Sequence, residues 1–95
     1  MVITEIKLIV QQDGALRAYA TITFNDCFVV HGVKVIEGAK GRFVAMPSRK
    51  RRDGSHQDVA HPITKDFRGY LEATVLQAYC AEVGEEMELE REAAE

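Results

Sequence analysis

Four consecutive cations, Arg49-Lys50-Arg51-Arg52, are the densest chemistry in this chain. Side by side they repel one another, and such a run is ordinarily a solvated loop. Clustered Lys and Arg also bind polyanions by releasing their condensed counterions, so the run is a candidate phosphate-binding patch. Its setting is regular. The apolar stretch Phe43-Val44-Ala45-Met46 is stopped by Pro47, the chain reverses at Asp53-Gly54, and a second short strand leads to His61-Pro62. The four cations therefore read as a charged loop held between two strands.

Other residues could be drawn into sites. His56-x-Asp58-x-x-His61 has the types for a metal site or an acid-base pair, and Cys27-x-x-x-His31 could add soft ligands. That spacing fits no zinc pattern, and there is no Cys-x-x-Cys. Asp58 and His61 more simply hydrogen-bond the turn before Pro62. His31 lies in an apolar stretch and reads as a core or interface histidine, and Cys27 and Cys80 read as small buried hydrophobes. Tyr19, Tyr70 and Tyr79 are too dispersed for a base-stacking platform and read as packing residues. No Gly-rich phosphate loop, nucleophile motif or cofactor fingerprint is present. The expectation is a protein with no catalytic residues, no metal, no cofactor and no small-molecule substrate.

The elements that must position the cations follow from periodicity. Val2, Ile6, Leu8 and Val10 alternate with Glu5 and Lys7, a strand with one wet face that Ile3 and Ile9 interrupt. A turn at Gln11-Gln12-Asp13-Gly14 leads to a second strand, in which Leu16, Ala18, Ala20, Ile22 and Phe24 alternate with Arg17, Tyr19, Thr21 and Thr23. After a tight turn at Asn25-Asp26, the stretch Cys27 to Glu37 is almost continuously β-branched or aromatic, hence apolar on both faces, with Phe28, Val30 and Ile36 opposite Val29, Val33 and Val35. Gly32 inside it implies a bulge or a close backbone approach. Gly38 to Gly41 turns into a fourth strand, Arg42 to Met46, and Gln57 to Ala60 forms a short fifth.

Beyond Pro62, Thr64 is a candidate N-cap for a helix over Lys65 to Val83, whose apolar positions Phe67, Leu71, Val75, Ala78 and Tyr79 recur at threes and fours. Gly84 ends it. Gly69 weakens its first turns and suggests close packing or binding there. Strands first and helix last predict an α+β domain, a small antiparallel sheet of four to five strands with a C-terminal helix packed on it.

The chain has 95 residues and a formal net charge of -3. That total hides a division. Residues 85 to 95 hold six glutamates and one arginine, while residues 1 to 84 hold eleven Lys and Arg against nine Asp and Glu. Residues 1 to 84 read as one domain, and 85 to 95 as an acidic tail expected to be disordered. A near-neutral body with its cations gathered in one loop can still bind phosphate, because local potential governs the contact. No apolar run reaches the ~20 residues that span a bilayer, and Met1 to Glu5 lacks the cationic start of a signal peptide. A cytoplasmic protein with reduced cysteines and no membrane contact is expected.

The chain also resembles a known family. Met46-Pro47-Ser48 followed by basic residues, Asp53-Gly54, and Asp58-Val59-Ala60-His61-Pro62-Ile63 are similar to the signature of the SpoVG family of small bacterial proteins. The similarity extends through Ile3 to Leu8, Leu16 to Phe24 and Phe28 to Gly38, covering roughly residues 1 to 84. Where the family has Lys-Arg this chain has Arg49-Lys50, and Arg51 and Arg52 stand where the family is often less basic. The resemblance implies a regulator of septation, sporulation and gene expression that binds DNA and RNA site-selectively as a homodimer. On the residues themselves, Arg49, Lys50, Arg51 and Arg52 would meet phosphates, with Arg68 assisting from the helix. The rival reading is a non-enzymatic interaction module in cell division, whose basic loop docks an acidic partner or the chain's own tail. The uncovered apolar stretch Cys27 to Glu37 would join two copies.

Overall fold

Alternating sequence becomes a meander. In the computed structural model, which describes residues 1–84, β1 (Ile3–Asp13), β2 (Leu16–Phe24), β3 (Phe28–Gly38) and β4 (Gly41–Ala45) form one antiparallel sheet in the order β1-β2-β3-β4. A separate two-stranded ribbon follows, β5 (Ser48–Lys50) with β6 (His56–Asp58), and the described chain ends in α1 (Lys65–Val83). The α+β class is as the element order implied. The acidic tail lies outside the described residues.

Each turn has its local cause. Asn25 and Asp26 both adopt positive φ, 52° and 54°, a conformation these two side chains tolerate better than most. The first strand is tied to that turn: Asn25 N–H donates to the Val2 carbonyl, Val2 N–H to Asn25 Oδ1, and Asp26 N–H to Thr4 Oγ1. A register shift between Ile3 and Glu5 then turns Ile3 toward the core. Val2, expected on the apolar side of β1, is exposed instead.

One face of the sheet and α1 enclose the core. Ala18, Ala20, Ile22, Val33 and Val35 pack with Leu71, Val75, Tyr79 and Cys80, all buried. Fully burying a Val, Leu or Ile side chain contributes ~1.5–3 kcal/mol, so these few residues carry much of the fold's stability. Thr64 caps the helix with extended backbone, its Oγ1 accepting from Phe67 N–H at 3.2 Å, and Gly84 closes it at φ 77°. No Cβ contact would arise at Gly69, so the expectation of close packing there fails; the site faces open space.

Gly32 has φ +80°, and the β2–β3 ladder slips between Ala20 and Ile22. This bulge changes the faces of β3. Val30, Val33 and Val35 all turn to the core, leaving the exposed Val29 on the opposite side, because one residue is absorbed without a partner. Simple alternation sets Val30 against Val33. His31 and Cys27 are exposed rather than buried. His31 Nδ1 meets Thr21 Oγ1 at 3.4 Å on the open face, and Cys27 sits in the turn before β3. Tyr19, paired across from Lys34, is also half-exposed there instead of packed in the core.

Candidate nucleic-acid interface

The cations are not a simple loop. Pro47 cannot donate to a ladder, so β4 stops and the chain leaves the main sheet, but Ser48–Lys50 extends again and pairs with His56–Asp58. Arg49 and Lys50 are therefore strand residues, opposite Gln57 and His56 respectively, and Ser48 is opposite Asp58. Only Arg51 and Arg52 occupy the turn. The fifth strand expected at Gln57 to Ala60 is displaced to His56–Asp58, and its partner is the basic segment itself.

Two fixtures hold this ribbon. At its base, Val59 N–H donates to the Pro47 carbonyl at 2.7 Å. At its tip, Arg51 N–H donates to the Ser55 carbonyl and Gly54 N–H to the Arg51 carbonyl, with Gly54 at φ +91°. Asp53 Oδ1 accepts from both Ser55 Oγ at 2.7 Å and Ser55 N–H at 2.9 Å. Those hydrogen bonds, the hydroxyl's foremost, hold the Asp53 carboxyl below its ordinary pKa. The turn's acid is thereby engaged with its own backbone.

All residues of β5, β6 and the intervening turn are exposed. Among the described residues, the side chains of Arg49, Lys50, Arg51 and Arg52 make no hydrogen bond or ion pair, whereas Arg42 and Arg17 are drawn to Glu37 at 2.9 and 3.9 Å. A two-stranded hairpin alone is marginal in water, so this one relies on its base and turn. Its geometry puts four free cations on a narrow projection. Arg68 belongs to a different element, the first turns of α1, where its N–H donates to the Thr64 carbonyl; no hydrogen bond joins it to the ribbon.

The histidines divide. His61 Nδ1 lies 3.0 Å from the Pro62 carbonyl and bonds the turn as expected, while His56 and Asp58 sit on β6. Among the described residues, no three His, Cys, Asp or Glu side chains converge as metal ligands would.

A second feature is apolar. A cavity of about 340 Å³ opens between β3, the segment Ala60–Thr64 and the start of α1, lined by Phe24, Phe28, Val30, Met46, Phe67 and Leu71 among others. Phe28 at its rim is 61% exposed and Ile63 90%. Sequence periodicity carries no sign of this cavity, because its walls come from segments far apart in the chain.

The model of the SpoVG family matches residues 1–81. A "Putative septation protein SpoVG" of Lachnospira eligens is 50% identical over 80 residues, covering 83% of this chain and 91% of the relative. The proteins of that name from Treponema denticola and Bdellovibrio bacteriovorus are 49% and 46% identical, over 80 and 79 residues; each comparison covers 83% of this chain, with 86% and 73% of the respective relatives.

Proposed function

Because the chain belongs to the SpoVG family, we propose that it is a septation and sporulation regulator that works in the cytoplasm by binding DNA and RNA site-selectively, as a homodimer. The carrying observation is the ribbon: four cations on an exposed projection, whose side chains have no hydrogen-bond or ion-pair partner among the described residues. Unneutralised Lys and Arg gain the most from a polyanion, since phosphate replaces only water and counterions. Septation is the role in the relatives' names.

The homodimer reading rests on β3. Its ladder with β4 covers Lys34–Gly38 only, so among the described residues the backbone of Phe28–Gly32 lacks a strand neighbour on that side. An unpaired edge next to exposed Phe28 and Val29 invites a second strand. No described helix is long and apolar enough to cross a membrane. The apolar cavity beside Phe28 favours a second reading, an interaction module that grips a protein partner.

A salt titration of duplex binding separates the two. Phosphate binding gives a log affinity that falls steeply and linearly with log salt. Absence of duplex binding at low salt, with retention of a protein partner, would support the interaction module instead.

A further inference from the structure

Cross-strand pairing in the ribbon assigns its side chains to two faces. Residues directly opposite in an antiparallel pair point the same way, and neighbours along a strand point oppositely. Arg49 and Gln57 therefore share one face, and Ser48, Lys50, His56 and Asp58 share the other. The two faces are chemically unlike. The first carries no acid and two planar side chains, each able to form paired hydrogen bonds. The second mixes a lysine and a histidine with the carboxylate of Asp58.

We infer that the ribbon enters the major groove of duplex DNA and reads base pairs with Arg49 and Gln57, while Lys50, Arg51 and Arg52 hold phosphates. This rests on the nucleic-acid reading above and names the ligand form and the reading residues. Two strands lie ~4.8 Å apart, so the ribbon with its side chains fits a groove ~12 Å wide. Arginine pairs with the O6 and N7 acceptors of guanine, and glutamine with N6 and N7 of adenine. Directly opposed positions place the two Cβ atoms ~5 Å apart, which suits neighbouring base pairs stacked ~3.4 Å apart once the side chains lean. The major groove of A-form RNA is too deep and narrow for this entry, so any RNA would be held by its phosphates or as a single strand.

The test is selection from a random duplex pool by the wild-type protein, followed by affinities of Gln57→Ala, Arg49→Ala and the double variant Arg51→Ala/Arg52→Ala for the selected duplex and for scrambled duplex. The inference expects Gln57→Ala and Arg49→Ala each to lose about tenfold or more of the preference, with binding to scrambled duplex little changed by Gln57→Ala and less weakened than the selected duplex by Arg49→Ala. The Arg51/Arg52 variant should weaken both duplexes alike. Replacing guanine with 7-deazaguanine, which removes the N7 acceptor, should cost affinity in the wild type and little in Arg49→Ala, which has no donor left to lose. Thermal melting of each variant guards against a fold defect, which exposed positions are not expected to cause. The inference is overturned if selectivity survives Gln57→Ala and Arg49→Ala, or if 7-deazaguanine has no effect while a minor-groove ligand such as netropsin displaces the protein. In those cases phosphate binding stands. Failure of the wild type to bind any duplex overturns both.

Discussion

A Cβ placed on Gly32 would lie 3.5 Å from Pro47 Cβ, so the bulge of β3 packs against the residue at which the chain leaves the sheet for the ribbon. Space permits a methyl group there; the backbone does not, since φ at Gly32 is +80°. Left-handed backbone costs an ordinary residue ~1–2 kcal/mol. Gly32→Ala should destabilise the domain by about that amount, read as a lower urea midpoint at unchanged slope. An unchanged midpoint would mean that the bulge relaxes without strain.

Asp53 gives a pH prediction. Its folded pKa is depressed by the Ser55 hydrogen bonds, so the stability it lends the turn is fully present above the unfolded carboxyl's pKa and is lost as pH falls through the lower folded value. The turn should therefore stay formed at neutral pH and open only in acid, below the ordinary carboxylate range. Side-chain carboxyl NMR shifts followed against pH check this; Asp53 titrating at or above the value of a free aspartate would contradict it.

Much of this fold is legible in the sequence because its signals are local. Thr64, the three-and-four spacing from Phe67 to Tyr79, and Gly84 predict α1 at Lys65–Val83, as found. Asn25-Asp26 marks its turn for the same reason. What escapes the sequence involves partners. Gly32 itself signals a bulge or a close approach, and both are found, but that the bulge moves Val30 to the core side shows only in the β2 register. At the candidate site the cations are visible, but Arg49 and Lys50 read as loop. A three-residue strand too polar for any hydrophobic period shows itself only when its partner His56–Asp58 is in place. The Asp53-Gly54 turn between two short polar segments is the available clue, and it would bring Gln57 in beside Arg49.

The edge of β3 predicts the oligomer. If Phe28–Gly32 pairs with its counterpart in a second copy, sedimentation should give a dimer at micromolar concentration, and Phe28→Glu should yield monomers that remain folded. A monomeric wild type would rule the dimer out.

The acidic residues 85–95 carry a net charge of -5 and lie outside the described structure. If their charge competes with phosphate for the ribbon, a chain ending at Gly84 should fold with an unchanged melting temperature and bind duplex more tightly at low salt, the difference fading as salt screens it. Equal affinities at low salt would assign the tail another role.

Whether the ribbon's cations carry duplex binding, with Lys50, Arg51 and Arg52 on phosphates and Arg49 at a base edge, is decided by the salt dependence of duplex affinity, measured for the wild type and for the fourfold alanine variant. All four residues are exposed and their side chains have no partner among the described residues, so stability should change by less than ~0.5 kcal/mol. Affinity should fall for every sequence, and the slope of log affinity against log salt should shrink by about one unit for each phosphate left without its cation. Arg49 and Lys50, fixed on a strand, should account for more of the loss than Arg51 and Arg52 in the turn. A fourfold variant that binds duplex with the wild-type slope would contradict this assignment and move the interface to another surface, with Lys65 and Arg68 of α1 the first to substitute.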